Sequence, residues 1–552
     1  MCLDMIEPHP VRIAINAFDK PPAVAVRFSN NRDSTTMWED VRSLGKRRPV
    51  KEVAVSQTGQ VIKVEDVGQV IKVEDVGESN DSRVGRILDG GVEVAGSGLF
   101  FGVFLVIIVG WAVVGGILRA PDLWQILFQN VSSIQCYISD MVLMRQQLND
   151  TREHLCMIAI LRSRSQTLVQ CFRILLQKKY HHHRICEKRG SGQIMELASS
   201  TKLHEGKVHT VPYSHMMHDI ESAAQTTTEI REKTYWYDGF IVVVAEILGS
   251  IWMLGAFLLG ILAWIALGPV YNWSNSWQLW LNTCTALQQT LTSLLLTLAR
   301  NRHTAFVDIC MHEIIHHDEI VEHAARKQAG FDGDNPPIEI SWDVSHGFER
   351  FLDWYAAFVG SGYMVVLSFV LLGAWLGIGT PLAWGDNWWL IIGTFSGLVG
   401  TLNASVLRYS MFRSEKVIER EYDALAEQDS VMYDMLSLPF PNQVSQQSNK
   451  GVMIRTSLFF SRICATSWSV IGTMSLIVGL VLGATVVLWN ESAQLLVNSV
   501  TMIVESFLLL VLISAHNIQA SQHRTRLHDI LIRRMDLLTV INQISILKCD
   551  TS

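Results

Sequence analysis

The sequence predicts an all-α polytopic membrane protein, with eight transmembrane helices arranged as four repeated helical hairpins and helical extensions on the cytoplasmic side. Three observations carry this prediction: a charge-poor composition, a recurring tryptophan spacing and a one-sided distribution of basic residues. The 552 residues are 49% hydrophobic and 18% charged, against about 25% charged in an average soluble domain. Mean hydropathy is +0.23 over the whole length. These values exclude a disordered chain, a collagen and an ordinary multidomain soluble enzyme. The net charge of −7 gives no reason to expect a nucleic-acid partner. Nine cysteines form no CxxC pair, so neither a disulfide scaffold nor a zinc ribbon is expected.

Residues 1–97 read as a polar cytoplasmic tail without a signal peptide. They contain a nonapeptide, QVIKVEDVG, present at 60–68 and again at 69–77. It alternates like a short strand, and it reads as a duplication inside a mobile tail. Apolar stretches then follow near 98–118, 241–267, 357–379, 388–407, 467–489 and 494–515. Each approaches the roughly 20 residues, about 30 Å at 1.5 Å per residue, that a bilayer core requires. Two more, 124–144 and 277–298, carry many amides and hydroxyls.

A repeat admits those two as spans. Tryptophans stand thirteen apart at Trp111/Trp124, Trp264/Trp277 and Trp375/Trp388, each pair bracketing a tip with a proline (Pro121, Pro269, Pro381). A fourth copy has Leu480 and Ala493 in the tryptophan places. Counting from Trp124, Trp277, Trp388 and Ala493 as position 0, position +8 is Ser132, Thr285, Ser396 and Thr501. Position +19 is leucine four times: Leu143, Leu296, Leu407 and Leu512. The expected hairpin units are 98–148, 239–299, 355–410 and 466–516. Between them lie cytoplasmic loops at 149–238 (rich in histidine), 300–354 and 411–465, and a C-terminal cytoplasmic helix occupies 517–552. None of the 45 basic residues falls in the tips 120–123, 268–276, 380–387 or 490–492. The positive-inside rule therefore places both termini and all long loops in the cytoplasm.

Positions +1, +5, +8 and +12 share one helix face. That face reads Gln125, Gln129, Ser132, Cys136; Gln278, Asn282, Thr285, Gln289; Trp389, Gly393, Ser396, Gly400; and Gln494, Asn498, Thr501, Glu505. Such groups serve either as hydrogen-bonded glue between helices or as the lining of a wet pathway. Four copies of the stripe favour a pathway. Glu505 is the strongest single signal, because a carboxylate among apolar residues must meet a cation or stay protonated. Asp140 is the second acid, with Arg145 near enough in sequence for an ion pair. With Gln135, Gln288, Gln289, Asn282, Asn498 and Asn403 they form an oxygen-rich set; Met502 and His516 share the last helix with Glu505. Amide and carboxylate oxygens suit weakly held divalent cations.

Histidines cluster outside the spans. His181, His182 and His183 are consecutive, and His312, Glu313 and His316 spell HEIIH beside His317. HEIIH is the zincin helix pattern, but it lacks a third ligand and lies outside the membrane. It reads as a solvated face or a weak cytoplasmic metal-binding site. No GxxxxGK[ST] loop or catalytic constellation occurs, so an enzyme is not expected.

The segments SIQCYISDMVLMRQQL (133–148), WQLWLNT (277–283), GDNWWLIIGTFSGLVGTLNASVLR (385–408), SRICATSWSV (461–470) and TMIVESFLLLVLISAHN (501–517) resemble the fungal low-affinity iron(II) permease family, over about residues 98–535. The resemblance implies plasma-membrane uptake of Fe²⁺ at low affinity, with passage of copper, zinc and manganese. It implies Fe²⁺ as cargo rather than a tightly bound cofactor, and carries over to Gln135, Asp140, Glu505 and His516. A homo-oligomer is left open. The rival reading is a membrane metal sensor or scaffold acting through its histidine-rich cytoplasmic loops.

Overall fold

The computed structural model describes residues 25–29, 54–55, 61–62, 70–72, 90–91, 94–190, 238–342, 347–381, 384–441 and 452–549. Among the described residues the chain is mostly helical. Four helices are short, apolar and peripheral: α1 (Gly98–Leu118), α4 (Ile251–Leu267), α7 (Gly362–Gly379) and α10 (Ser467–Val486). Each is followed, after a tip, by a very long helix: α2 (Asp122–Gly190), α5 (Asn275–Ala329), α8 (Asp386–Met435) and α11 (Glu491–Cys549). Three short helices, α3 (Asp238–Leu248), α6 (Phe348–Val359) and α9 (Val452–Cys464), lead into α4, α7 and α10. Helices α1, α7, α8, α10 and α11 are long and apolar enough to cross a membrane. Helix α4 has 17 residues, one turn fewer than α1. Helices α2 and α5 carry the amides and hydroxyls noted above.

Each peripheral helix begins on a hydroxyl cap. Ser97, Ser250, Ser361 and Thr466 accept hydrogen bonds from the backbone N–H groups of Phe100, Met253, Met364 and Ser469, satisfying one otherwise unpaired donor each. All four caps lie fourteen residues before the first tryptophan position, so the repeat extends further than the tryptophans alone show. Each tip closes in the same way. Ala120, Trp273, Trp384 and Trp489 adopt positive φ (46, 51, 52 and 52°). Their N–H groups bond back to Gly115, Gly268, Gly379 and Ala484 at 2.8–3.0 Å. The small residue is required there, since a Cβ on Gly115 would lie 2.2 Å from the Trp124 ring. The tryptophans thirteen apart stack on one another: 264 on 277 at 3.4 Å, 375 on 388 at 3.8 Å, 111 on 124 at 5.5 Å.

The four long helices form a ring in the order α2–α5–α11–α8. Each peripheral helix leans on a long helix of a neighbouring repeat: α1 on α5, α4 on α11, α10 on α8 and α7 on α2. Close approach is again purchased with glycine. Gly96 abuts Asn301 and Gly249 abuts Asn517, two residues both at position +24. The outward faces of the peripheral helices remain apolar and exposed, as at Leu99, Val106, Leu262, Val370 and Leu482. That surface suits lipid.

All four long helices run in one direction from the tips, so equal positions share a level. Positions +16, +19, +23, +26, +30, +34, +37, +41, +44 and +48 fall on the inner seam. Steps of four and three are the signature of a coiled coil. The Leu143, Leu296, Leu407 and Leu512 layer is one apolar cluster. Leu161, Ile314, Leu425 and Ile530 at +37 join a second, and Leu168, Val321, Met432 and Leu537 at +44 a third. Between the last two, position +41 is charged: Arg534 binds Asp318 at 2.8 Å, Asp429 at 2.9 Å and Ser165 at 2.7 Å. All four residues are fully buried.

This seam corrects two expectations. The segments following 148, 299 and 410 begin as continuous helix, not loop: the helices run on to 190, 329 and 435, and the apolar seam continues well past the hydrophobic spans. The N-terminal segment is not wholly tail: β1 (Ala25–Ser29) pairs antiparallel with β4 (Val70–Lys72) and parallel with β5 (Ile338–Ser341). Two further strands, β2 (Ala54–Val55) and β3 (Val61–Ile62), form a small antiparallel pair. Both copies of the duplicated Val-Ile thus become strand, as their alternation suggests. Ile338 and Ile340 of β5 are buried against the helical bundle. The rest of residues 1–89 lies outside the described residues.

Candidate metal pathway

The polar stripe heads the seam, and every residue at +5, +8 and +12 is buried. Its hydrogen bonds divide it into two classes. The first class is glue. Gln125, Gln278 and Gln494 at +1 donate to the tip carbonyls of Ala120, Trp273 and Trp489 and so brace the turn. Gln129 donates to the Leu279 carbonyl and the Thr283 hydroxyl. Ser132 donates to the Ala286 carbonyl, and Gln135 to Ser293 Oγ. Together these ties join α2 to α5.

The second class has buried atoms with no partner among the described residues. Among them are both carboxyl oxygens of Asp140, both amide atoms of Asn282, Gln289 Oε1, Gln288 Oε1, Asn498 Oδ1 and Glu505 Oε1; Gln278 Oε1 and Asn130 Nδ2 are orphaned as well. Orphaned acceptors at such depth are costly and mark function more often than packing. The Gln289 nitrogen is anchored on the Met502 carbonyl at 3.0 Å, which leaves its oxygen free. Gln288 donates to Thr292. Asn403 differs: its Oδ1 already accepts from the Tyr355 hydroxyl at 2.7 Å, and its nitrogen is the unpaired atom. The Met502 side chain is fully buried. At +8, Thr285, Ser396 and Thr501 donate to carbonyls of their own helices.

Glycines in α8 make the room. A Cβ on Gly393 would meet Asn130 Oδ1 at 2.5 Å, one on Gly397 would meet Thr501 Oγ1 at 2.8 Å, and one on Gly400 would meet Glu505 Oε1 at 2.8 Å. At +5 and +12 the third repeat thus has glycine in place of an amide, and its backbone yields that space to α2 and α11. Asn130 escaped the sequence reading, since it stands one residue beyond the +5 position; its burial beside Gly393 is the missing signal. Asp140 and Glu505 come from opposite helices of the ring and are electrostatic neighbours, with Cys136 close to both.

Below them the +19 leucine layer seals the seam. Beyond it, a cavity of about 60 Å³ opens among Gln147, Asp150, His154, Arg300, His303, His516 and His523, with further lining from α2 and α5. His516, expected in the pathway, therefore lies on the far side of the leucines from Glu505. His154, His303 and His523 were unassigned, because they sit beyond the apolar stretches. Burial pushes the imidazoles of His154 and His303 well below the ordinary histidine range, and that of His523 down to about 4. Burial lifts the Asp150 carboxyl to about 6, against the pull of Arg300 and Thr304.

The HEIIH residues sit apart, on the outer surface of α5. His312 pairs with Asp308 at 3.1 Å and His317 with Glu313 at 3.6 Å, while His316 is exposed. No three His, Cys, Asp or Glu side chains converge as a ready metal cage among the described residues. His181, His182 and His183 lie on the last turns of α2, and their side chains are outside the described residues.

Comparison with known proteins bears on this arrangement. The family model described as low affinity iron permease matches residues 237–327 and 453–547, covering α5 and α11 almost entirely. The low-affinity iron/zinc ion transport protein of Schizosaccharomyces pombe is 37% identical over 459 residues, 83% of this chain and 73% of that protein. The low-affinity Fe(2+) transport protein of Saccharomyces cerevisiae is 31% identical over 482 residues, 83% of each chain. No solved structure matches. A polar seam of buried, unpaired oxygens inside a lipid-compatible helical shell, together with kinship at this identity over most of the chain, places the protein in the low-affinity iron permease family.

Proposed function

We propose that this protein carries Fe²⁺ across the plasma membrane into the cell at low affinity, admitting zinc, copper and manganese through the same seam. In this reading the membrane contains eight helices as four hairpins, the basic-free tips face outward and the long-helix bundle lies in the cytoplasm. Support for the orientation comes from the basic residues, all of which avoid the tips. The observation that carries the function is the set of orphaned oxygens around Asp140 and Glu505. An ion entering between the tips would exchange water for the oxygens of Asn282 and Asn498, then of Gln289. Gln289 shares its level with Glu505, about 10 Å beyond the two asparagines, and Asp140 follows about 6 Å further along the helices. Neutral amides and few charges hold a divalent ion weakly, which suits passage better than storage. The names of both relatives, iron/zinc and Fe(2+) transport, fit this cargo. The test is influx into vesicles containing the purified protein, read with an entrapped metal-quenched dye. Fe²⁺, Zn²⁺, Cu²⁺ and Mn²⁺ are each expected to enter faster than into empty vesicles. No influx of any of them would refute the proposal.

A further inference from the structure

Beyond the leucine layer, four histidines from three of the long helices gather around the cavity: His154 of α2, His303 of α5, and His516 and His523 of α11. His303 Nε2 stands 3.2 Å from His523 Nδ1. The ring centres of His154 and His523 are 5.0 Å apart, those of His303 and His516 5.6 Å. His154 is held by the Tyr422 hydroxyl of α8 at 2.6 Å. His303 Nδ1 is buried without a hydrogen-bond partner among the described residues. Buried histidines normally satisfy both nitrogens, so a cluster with an orphaned one is unfinished as a hydrogen-bond network.

We propose that His303 and His523, completed by His516 or His154, form a binding site for a borderline divalent cation such as Fe²⁺ or Zn²⁺ on the bundle side of the leucine layer. Metal–imidazole bonds of about 2.05 Å in a tetrahedron place two ligand nitrogens about 3.3 Å apart. The existing 3.2 Å pair already has that spacing. No third donor converges in the present rotamers, so binding turns one neighbouring ring. The cavity has room for this, since about 60 Å³ exceeds the roughly 10–15 Å³ that one water requires. Its wall carries three acids, Asp150, Glu153 and Asp308, and one base, Arg300, which pairs with Asp150 at 3.8 Å. Within the wall the acids outnumber the base, while Arg524 and Arg526 act on the rings from behind it. The seam also has a reason to open here. The steps from +26 to +30 and +30 to +34 are both four, an interruption of the heptad that locally unwinds a coiled coil. Nitrogen ligands here would take over from the oxygens above and give a direction of increasing softness. The site deepens the transport reading, as the place where the ion is received before release.

The test uses the full-length protein in detergent with His181, His182, His183, His312, His316 and His317 changed to alanine, which removes the two other histidine clusters; the double exchange below then separates the proposed site from the isolated histidines that remain. Zinc-edge X-ray absorption of the Zn²⁺-loaded protein is expected to show at least two imidazole nitrogens. The double exchange His303→Gln, His523→Gln is expected to remove two of them. An all-oxygen spectrum, or an imidazole count unchanged by the double exchange, overturns the proposal. Should the double variant fail to fold, Zn²⁺ protection of His303 and His523 from diethyl pyrocarbonate, read by mass spectrometry, replaces it. Protection supports the site and equal labelling overturns it. Imidazole binding in a protein that moves no metal would leave this site standing and remove the transport reading. Metal uptake without imidazole ligation would do the reverse.

Discussion

Gly400 shows how much of the proposed pathway depends on one absent methyl group. Glu505 Oε1 occupies the space that a Cβ at 400 would need, 2.8 Å away. Gly400→Ala is therefore expected to displace the carboxylate and lower iron uptake at least fivefold, with an overpacking cost of about 1–3 kcal/mol. Gly479→Ala, at a glycine with nothing within 4 Å of a built Cβ, is the matched control and is expected to keep uptake near wild type. Equal uptake by both variants would remove the close-packing argument. Glycine at 393 and 400 in the third repeat interrupts the polar pattern in the sequence. Only the packing of Asn130, Asn498 and Glu505 against α8 explains it. The amides also could not be sorted from sequence. Gln129 and Asn282 occupy the same repeat position, yet the Gln129 nitrogen donates twice across to α5 while neither Asn282 amide atom has a partner among the described residues.

At the level of the element, the tips and caps follow directly from the repeat. The thirteen-residue tryptophan spacing announces the hairpin, and the structure gives its cause in a stacked ring pair that pins the tip. The pairs are not equal. Trp375 and Trp388 stack at 3.8 Å and 4°, whereas Trp111 and Trp124 lie at 5.5 Å and 22°. Aromatic pairs contribute about 0.5–1.5 kcal/mol beyond buried area. Trp375→Ala should accordingly lower the apparent melting temperature more than Trp111→Ala, in thermal unfolding of the detergent-solubilised protein. The reverse order would count against the stacking account. The hydroxyl caps at 97, 250, 361 and 466 were legible in principle, being equally spaced from the tryptophans. A single Ser or Thr carries little weight as a cap until its three counterparts are aligned. The strands were hidden for another reason. Their pairing joins residues 26 and 338, and such distant partners leave no local mark beyond alternation.

Across the whole molecule, one quasi-fourfold axis runs through the membrane segment and the bundle beyond it. The apolar stretches make the hairpins readable, but hydropathy falls well before the repeat ends. The repeat continues as a period of three and four: leucines at +19, the histidine cavity from +23 to +30, apolar layers at +34 and +37, and the charged layer at +41. The sequence puts Ser165, Asp318 and Asp429 in loops and Arg534 in a C-terminal helix; in the structure the four close one buried cluster. Removing one partner from a buried ion pair costs about 3–5 kcal/mol, because it strands the other charge. Asp429 holds both Arg533 and Arg534. Asp429→Ala is expected to destabilise the bundle on that scale, while Ser165→Ala, the loss of one neutral partner, is expected to cost only about 1 kcal/mol. Limited proteolysis of the bundle helices can rank the two. The same axis gives the transport proposal its physical content, since the orphaned oxygens lie along it and the lipid-facing helices do not. The most direct measurement is uptake of radiolabelled Fe²⁺ by cells lacking other iron importers and expressing Glu505→Gln, which keeps the shape and removes the charge. The account predicts at least a tenfold loss at unchanged protein level in the membrane. Wild-type uptake by that variant would contradict it.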